Sequence, residues 1–479
     1  MSVQQINDPA IDFSTKLHLC PSYRYNKNIP TSGSQTFTLG ASSTTNCQFE
    51  LASNCYNLSK SKLVFDISFP ATISTGTTAK YNICHADPLA LFDRIQLYTR
   101  SGIQLVDLTS ANNFSKMVSP YLTKSKELSQ RSSGGLTVDA TNNAFSGCVN
   151  TTASQLVPVQ GIQPSLVSTY AVNAIAAQNQ RPDGSAPHVP INEHRYLFAG
   201  AVGTDDPPTA TGHLCLSYQL NLGIVYDTLL SINKDLYWDT NLILSITFAP
   251  HSKFAFASNT LTMGGLAVAN TANCTSCTVS NTSLFLAMET NQDIINQLRT
   301  KVQTTGMTLQ IPYVYSQKYL SGAASTSASL FQRFNSGMGQ RLIRFYYSAF
   351  HNVETAMTAF DNSNRVAKLT DIYTSLNNQR LQEYPLNLAK SEDYLFNEAN
   401  FEDSCILSSN IYKYNWIHCD NFGNSNLANG DLTEPQGISL AEEKTYTVFV
   451  NQVAAAYNHY LFTVVQRELV IHGANIVLH

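Results

Sequence analysis

The stretch Leu63-Val64-Phe65-Asp66-Ile67-Ser68-Phe69 places large apolar side chains at every odd position and ends at Pro70, a residue that cannot extend a central strand. Successive side chains on a β-strand point to opposite faces, so this spacing predicts a strand with one buried face. The same pattern returns at Leu242-Ile243-Leu244-Ser245-Ile246-Thr247-Phe248, with Leu242, Leu244, Ile246 and Phe248 in phase, and stops before Pro250. Leu244 and Ile246 are therefore predicted to point into a core, with Thr247 on the opposite face.

Further strands are predicted at Ile95 to Tyr98, Leu214 to Leu222, Ile343 to Tyr347, Tyr446 to Val450 and Leu461 to Val465, where β-branched and aromatic residues are frequent. Helical spacing is rarer. Ile294, Ile295, Leu298 and Val302 follow Thr290 and Asn291, which suit a cap, and predict a helix over Thr290 to Lys301. Shorter helices are expected at Asp87 to Phe92 and Leu105 to Met117. With no regular alternation of strand and helix, an all-β antiparallel protein with long loops and a few short helices is the expected class.

At 479 residues the chain exceeds one ordinary core, so two domains are expected. Residues 1–20 read as an N-terminal arm, 21–296 as a first strand-rich unit with a long polar insertion near 131–210, and 297–479 as a second unit. Within the insertion, residues 131 to 190 are rich in Ser, Thr, Asn, Gln, Ala and Gly, which suits an outward projection. Asn421 to Pro435 reads as an exposed loop. Met1 to Phe13 carries no Lys or Arg and few apolar anchors, and is expected to be a frayed end or an inward-facing tether rather than a genome-binding arm.

Only 13% of residues are charged and the net charge is -4, with Ser, Thr, Asn and Gln in place of charge. A neutral polar exterior suits a protein whose surface is largely covered by neighbours. The lack of a basic run argues against direct nucleic-acid binding. No signal-like N-terminus or apolar span is evident, which predicts a soluble, reducing compartment. The ten cysteines, Cys20, Cys47, Cys55, Cys84, Cys148, Cys215, Cys274, Cys277, Cys405 and Cys419, have no framework spacing and read as small buried hydrophobes. Cys274 and Cys277 lack the second ligand pair a structural zinc requires. The Asn-x-Ser/Thr triplets at Asn57, Asn113, Asn150 and Asn281 are expected to be unglycosylated.

Motifs for phosphate binding, zinc proteolysis and a nucleophile elbow are absent from the sequence. Glu442-Glu443 and Asp205-Asp206 read as solvated loop acids. Asn192-Glu193-His194-Arg195 and Ile417-His418-Cys419-Asp420 place histidine beside acid or thiol, as a dyad requires, but a chain with 11 His and 33 acids generates such neighbours by chance. No catalytic, cofactor-binding or metal residues are assigned. Trp238 and Trp416 sit among apolar neighbours and are expected in the core rather than on a binding face.

Several segments together resemble the double jelly-roll major capsid proteins of virophages and polinton-like viruses, in the lineage of adenovirus hexon. They are LSKSKLVFDISF (58–69) with FDRIQLYTRSGIQLV (92–106), YQLNLGIVY (218–226) through LYWDTNLILSITF (236–248), and RLIRFYYSAFHN (341–352) with LNNQRLQEYP (376–385). The resemblance implies two consecutive eight-stranded antiparallel jelly rolls. It also implies a homotrimer of six rolls forming a pseudo-hexagonal capsomer, which meets neighbouring capsomers, penton and minor capsid proteins in the virion of an icosahedral double-stranded DNA virus. The alternatives from the residues alone are a β-sandwich carbohydrate-binding or adhesin-type protein and a β-sandwich glycoside hydrolase.

Overall fold

A computed structural model of the chain describes residues 21–69, 80–83, 88–122, 138–139, 144–145, 148–150, 155–157, 197–198, 214–253, 255–258, 276–351, 369–388, 392–394, 416–423 and 437–479. The Met1 to Phe13 segment, nearly all of the 131–210 projection, most of the Asn421 to Pro435 loop, and the pairs at Asp205 and His194 lie outside these residues.

The first half carries eight principal strands: β1 (Tyr23–Asn28), β2 (Thr45–Leu51), β3 (Asn54–Phe69), β4 (Phe92–Thr99), β5 (Gln104–Thr109), β6 (Leu214–Asn221), β7 (Leu242–Phe248) and β8 (Cys277–Glu289). They form two antiparallel sheets, ordered β1-β8-β3-β6 and β2-β7-β4-β5. First pairs with last, second with seventh, third with sixth and fourth with fifth. This is one long hairpin rolled up, the connectivity of a jelly roll.

The apolar alternation explains the register. Leu63 of β3 lies opposite Leu220 and Leu284, and all three are buried. In the facing sheet Leu244 lies opposite Phe49 and Leu97, also buried. Phe65 from one sheet meets Phe248 and Phe92 from the other, with ring centroids 5.5 and 5.8 Å apart in edge-to-face geometry.

The second half repeats the plan with β9 (Met307–Leu320), β10 (Ser327–Phe334), β11 (Arg341–His351), β12 (Leu369–Leu376), β13 (Gln379–Arg380), β14 (His418–Asn421), β15 (Lys444–Gln452) and β16 (Tyr457–His472). Its sheets run β9-β16-β11-β14 and β10-β15-β12-β13, which is the first order with eight added to every strand. The predicted fold class is therefore what the chain adopts.

Two helices matter for the site. α1 (Ala111–Leu122) follows β5, and α2 (Gln292–Thr304) lies between β8 and β9 and spans residues 296 and 297. α2 starts as expected, with the Asn291 side chain accepting from the Asp293 amide at 3.0 Å. It ends at Gly306, whose φ of +76° favours glycine and whose amide donates to the Lys301 carbonyl.

The single helix expected over Leu105 to Met117 is corrected. Residues 104–109 form β5, where Val106 and Leu108 face Leu97 and Ile95 across the ladder, and the helix begins only after Ser110 at φ +54°. Leu105 and Leu108 fit a helical spacing as well as a strand, and pairing with β4 decides between them. At Asp87 to Phe92 the helix is one 3-10 turn, Pro88–Leu91, with Phe92 already in β4. β1 and β2 lack the long aliphatic alternation of β3 and β7, so the sequence does not announce them.

Candidate functional site

The two rolls meet on a continuous apolar seam. On β16, Tyr460, Phe462 and Val464 face the first roll, whereas Leu461 and Val465 face the core of their own roll. β11 divides likewise, Tyr346 and Phe350 toward the seam and Phe345 and Tyr347 inward. The sheet β9-β16-β11-β14 is thus buried on both faces, and residues 457–466 are buried without interruption.

The first roll covers this sheet with the end of β5, α1 and the connection from β6 to β7. Phe114 of α1 packs edge-to-face on Phe462 at 5.0 Å and on Tyr346 at 6.1 Å. Thr109 Oγ1 is in hydrogen-bond contact with Ser316 Oγ of β9. Asp227, in the connection, has a φ of +54° that turns the chain towards β11.

Asp227 anchors the polar centre of the seam. The Tyr346 hydroxyl donates to Asp227 Oδ2 at 2.6 Å and accepts from Arg344 Nη1 at 3.1 Å. All three residues are at most 5% exposed. Burial disfavours the charge on Arg344, yet Tyr346 and Asp227 around it hold the guanidinium pKa above its ordinary value. Burial raises the Tyr346 phenol well above its usual range, so it remains a donor. None of these three residues was singled out from the sequence. The available signal was Arg344 itself, a charge inside an otherwise apolar strand.

A second polar cluster lies within the second roll. His418 Nε2 is 3.6 Å from Asp420 Oδ1, Tyr446 donates to Asp420 Oδ2 at 2.6 Å, and Gln382 bridges Asp420 and Thr374. Burial raises the Asp420 carboxyl, but His418 and Tyr446 outweigh it and hold the pKa below the usual value. For His418, burial lowers the pKa and Asp420 overcomes it, leaving the imidazole above its ordinary value.

Cys419, the thiol of the same sequence motif, belongs to the seam cluster with Ile417, Tyr346 and Phe462. Burial keeps that thiol protonated, with a pKa far above the usual range. The motif is thus split between two hydrophobic environments and gives no thiolate-imidazole pair. Cys47, Cys55, Cys277 and Cys419 are buried, Trp238 and Trp416 are fully buried, and Glu442 and Glu443 are exposed, each as expected. Among the described residues no group of three or more His, Cys, Asp or Glu is placed to hold a metal, and no helix is long and apolar enough to cross a membrane.

Among the described residues, the counterpart sheet of the first roll is not covered in the same way. Cross-strand partners share a face, and Lys27, Phe285 and Lys62 lie in one row across β1, β8 and β3, opposite in phase to the buried Leu284 and Leu63. Tyr25 on this outer face is 47% exposed, and Tyr23, Val64 and Phe285 are half-buried. The Lys60 and Lys62 ammonium groups stand over the Tyr23 and Tyr25 rings at 4.2 and 5.8 Å.

No family model matches this chain, and no curated protein matches it in sequence. Solved structures match it along its length. A chain in the cryo-EM structure of the Sputnik virophage superposes with a TM-score of 0.53 at 11% identity, covering 100% of this chain and 93% of that one. The PBCV-1 virus capsid gives 0.52 at 10% identity, covering 97% and 98%. The mavirus major capsid protein gives 0.51 at 7% identity, covering 100% and 96%. With strand order and whole-length superposition in agreement, the chain has the double jelly-roll fold of these viral capsid structures.

Proposed function

We propose that this chain is the major capsid protein of an icosahedral double-stranded DNA virus, a structural component of the virion rather than an enzyme. Three copies form a pseudo-hexagonal capsomer that meets neighbouring capsomers, penton and minor capsid proteins. In this reading residues 1–20 are an arm, 21–296 the first jelly roll with its projection near 131–210, and 297–479 the second. The carrying observation is the repeat of one strand order in two rolls held side by side by a fully buried, non-equivalent contact. Such a contact is the unit step of a ring, and three chains supply six rolls.

The low charge supports the same reading, because lateral surfaces of Ser, Thr, Asn and Gln exchange water for hydrogen bonds at less cost than charged ones. The test is the mass and outline of the purified full-length chain. Sedimentation at micromolar concentration is expected to give three chains per particle, and negative-stain images compact particles with hexagonal outlines. A stable, monodisperse monomer overturns the proposal.

A further inference from the structure

We propose that the open edge of β10 is a docking site for an extended segment of a second polypeptide, which adds to the sheet β10-β15-β12-β13 as a further strand and is not a copy of this chain. The inference stands on one chain and does not rest on the capsomer reading. β10 pairs with β15 along its whole length, Ser327 opposite Asn451, with no break in register. The Gln452 amide donates to the Thr326 carbonyl, and on the other side of β15 the Asn377 amide donates to the Thr445 carbonyl. These two bonds fix the phase of the ladder. The even-numbered residues of β10 turn their backbone groups to β15, and Ser327, Ser329, Phe331 and Arg333, all exposed, turn theirs away. Among the described residues, the Phe331 carbonyl is the only backbone group on this edge with a partner, the Gln317 side-chain amide at 3.3 Å. The corresponding edge of the first roll is closed by its own chain. There the Gln48 carbonyl of β2 accepts from the Thr31 amide, the Gln48 amide donates to the Ser32 carbonyl, and Asn28 Nδ2 donates to the Glu50 carbonyl.

An open edge is a template for pairing, and proteins usually blunt one with proline, a bulge, charge or a covering segment. β10 has no proline, no bulge and no charge before Arg333. Its outward donors and acceptors recur at every second residue, a spacing that an extended backbone matches and a compact ligand does not. Side chains then select the segment. Phe331 is 58% exposed on the outer face, diagonal to Phe449, which stacks on Tyr373 at 4.7 Å. An apolar residue opposite Phe331 extends that aromatic strip. Arg333 is the one charge on the edge, and Glu443 approaches it only to 3.9 Å with both side chains largely exposed. A carboxylate opposite Arg333 therefore sets the register. Run antiparallel, as the ladders of this sheet do, the fitting partner is a proline-free extended segment with an acidic residue followed two positions later by an apolar one.

The probe is a fluorescein-labelled peptide, Glu-Thr-Phe-Thr-Val-Thr-Thr, added to the full-length chain up to millimolar concentration and followed by fluorescence polarisation. A second peptide of the same sequence carries N-methyl groups on its Phe and Val amides, which face β10 in that register and lose their donors without loss of apolar area. The expected result is saturable binding of the first peptide and about tenfold weaker binding of the second. The Ser329→Pro variant is expected to show the same loss with an unchanged thermal midpoint, because the amide it removes points away from β15. If that variant is less stable, the two peptides on the unaltered chain decide. No saturable binding of the first peptide, or equal binding of both, overturns the docking edge. So does a particle mass in sedimentation that falls on Ser329→Pro, which would assign the edge to contacts between copies of this chain.

Discussion

The Tyr346 hydroxyl donates to Asp227 Oδ2 across 2.6 Å, a hydrogen bond that joins the second roll to the first in the middle of an apolar seam. Arg344 donates to the same hydroxyl, so a buried cation and a buried carboxylate share one phenol. Removing one member of such a set leaves a charge desolvated without compensation. Arg344→Met is expected to cost about 3 to 5 kcal/mol, and Tyr346→Phe about 1 to 3 kcal/mol. Combined with Asp227→Asn, Arg344→Met is expected to cost less than the sum of the single changes, because the orphaned partner is also neutralised. Guanidinium denaturation of the four proteins checks this. Strictly additive losses would show that the three side chains do not act as a unit.

Leu244 and Thr247 test the register of β7. Leu244 is fully buried between Phe49 and Leu97, whereas Thr247 is half-buried on the other face. Leu244→Ala is expected to lose about 2 to 5 kcal/mol through transfer and cavity terms, and Thr247→Ala less than about 0.5 kcal/mol. Ser245 qualifies the simple alternation. It lies on the Thr247 face yet is buried, with its hydroxyl donating to Asn46 Oδ1 at 2.9 Å. Equal losses at Leu244 and Thr247 in chemical denaturation would contradict this register.

β3, β4, β6, β7, β11, β15 and β16 were legible because apolar, β-branched and aromatic residues concentrate in them, with clear period-two alternation at Leu63 to Phe69 and Leu242 to Phe248, whereas β8, β9, β10 and β12 were not read from the sequence. β1, with sequence YRYNKN, was not legible either, since it lies at a sheet edge with most of its side chains outside the core. β13 was missed because two residues carry no periodicity. The seam was partly visible in the run from Leu342 to Tyr347, where apolar side chains occupy both faces and imply cover on both sides. Its polar centre was not, because Asp227 and Tyr346 are 119 residues apart and only the tertiary fold brings them together. Arg344 alone announces a buried charge without naming its partner.

Gly437 holds the return from β14 into β15 against β11. Its φ is +84°, and a methyl group there would overlap the Leu342 carbonyl oxygen and crowd the Ile343 Cα at 3.2 Å. Its own carbonyl accepts from Arg341 Nη1 at 2.8 Å, so the approach is fixed from both sides. Backbone cannot yield as a flexible side-chain end does. Gly437→Ala is therefore expected to cost more than about 2 kcal/mol, from the unfavourable φ and the overlap together. Thermal unfolding of this variant beside Gly102→Ala, where φ is also positive but nothing lies within 4 Å, separates the two contributions. Equal losses at the two glycines would assign the whole effect to φ.

Acid sensitivity follows from His459. Its ring is fully buried in the second roll, beside Tyr347, Tyr319 and Tyr457, with Nδ1 2.8 Å from the Tyr347 hydroxyl. Burial pushes its pKa down to about 4. Between that value and the ordinary 6.5 the unfolded chain binds a proton at this position and the folded chain does not, so stability falls as pH falls through the window. From pH 7 to pH 5 the loss is about 2 kcal/mol for this group. His251, also lowered by burial, acts with the same sign. His418 acts on the other side: its raised pKa gives stability that is complete below the ordinary value and is lost as pH rises through the folded one. Asp420, held below the usual carboxylate value, gives up its contribution only at still lower pH. Urea midpoints are therefore expected to drop between pH 7 and pH 5, and His459→Gln, neutral throughout, to remove most of that drop. A variant that keeps the full slope would place the acid sensitivity on other groups.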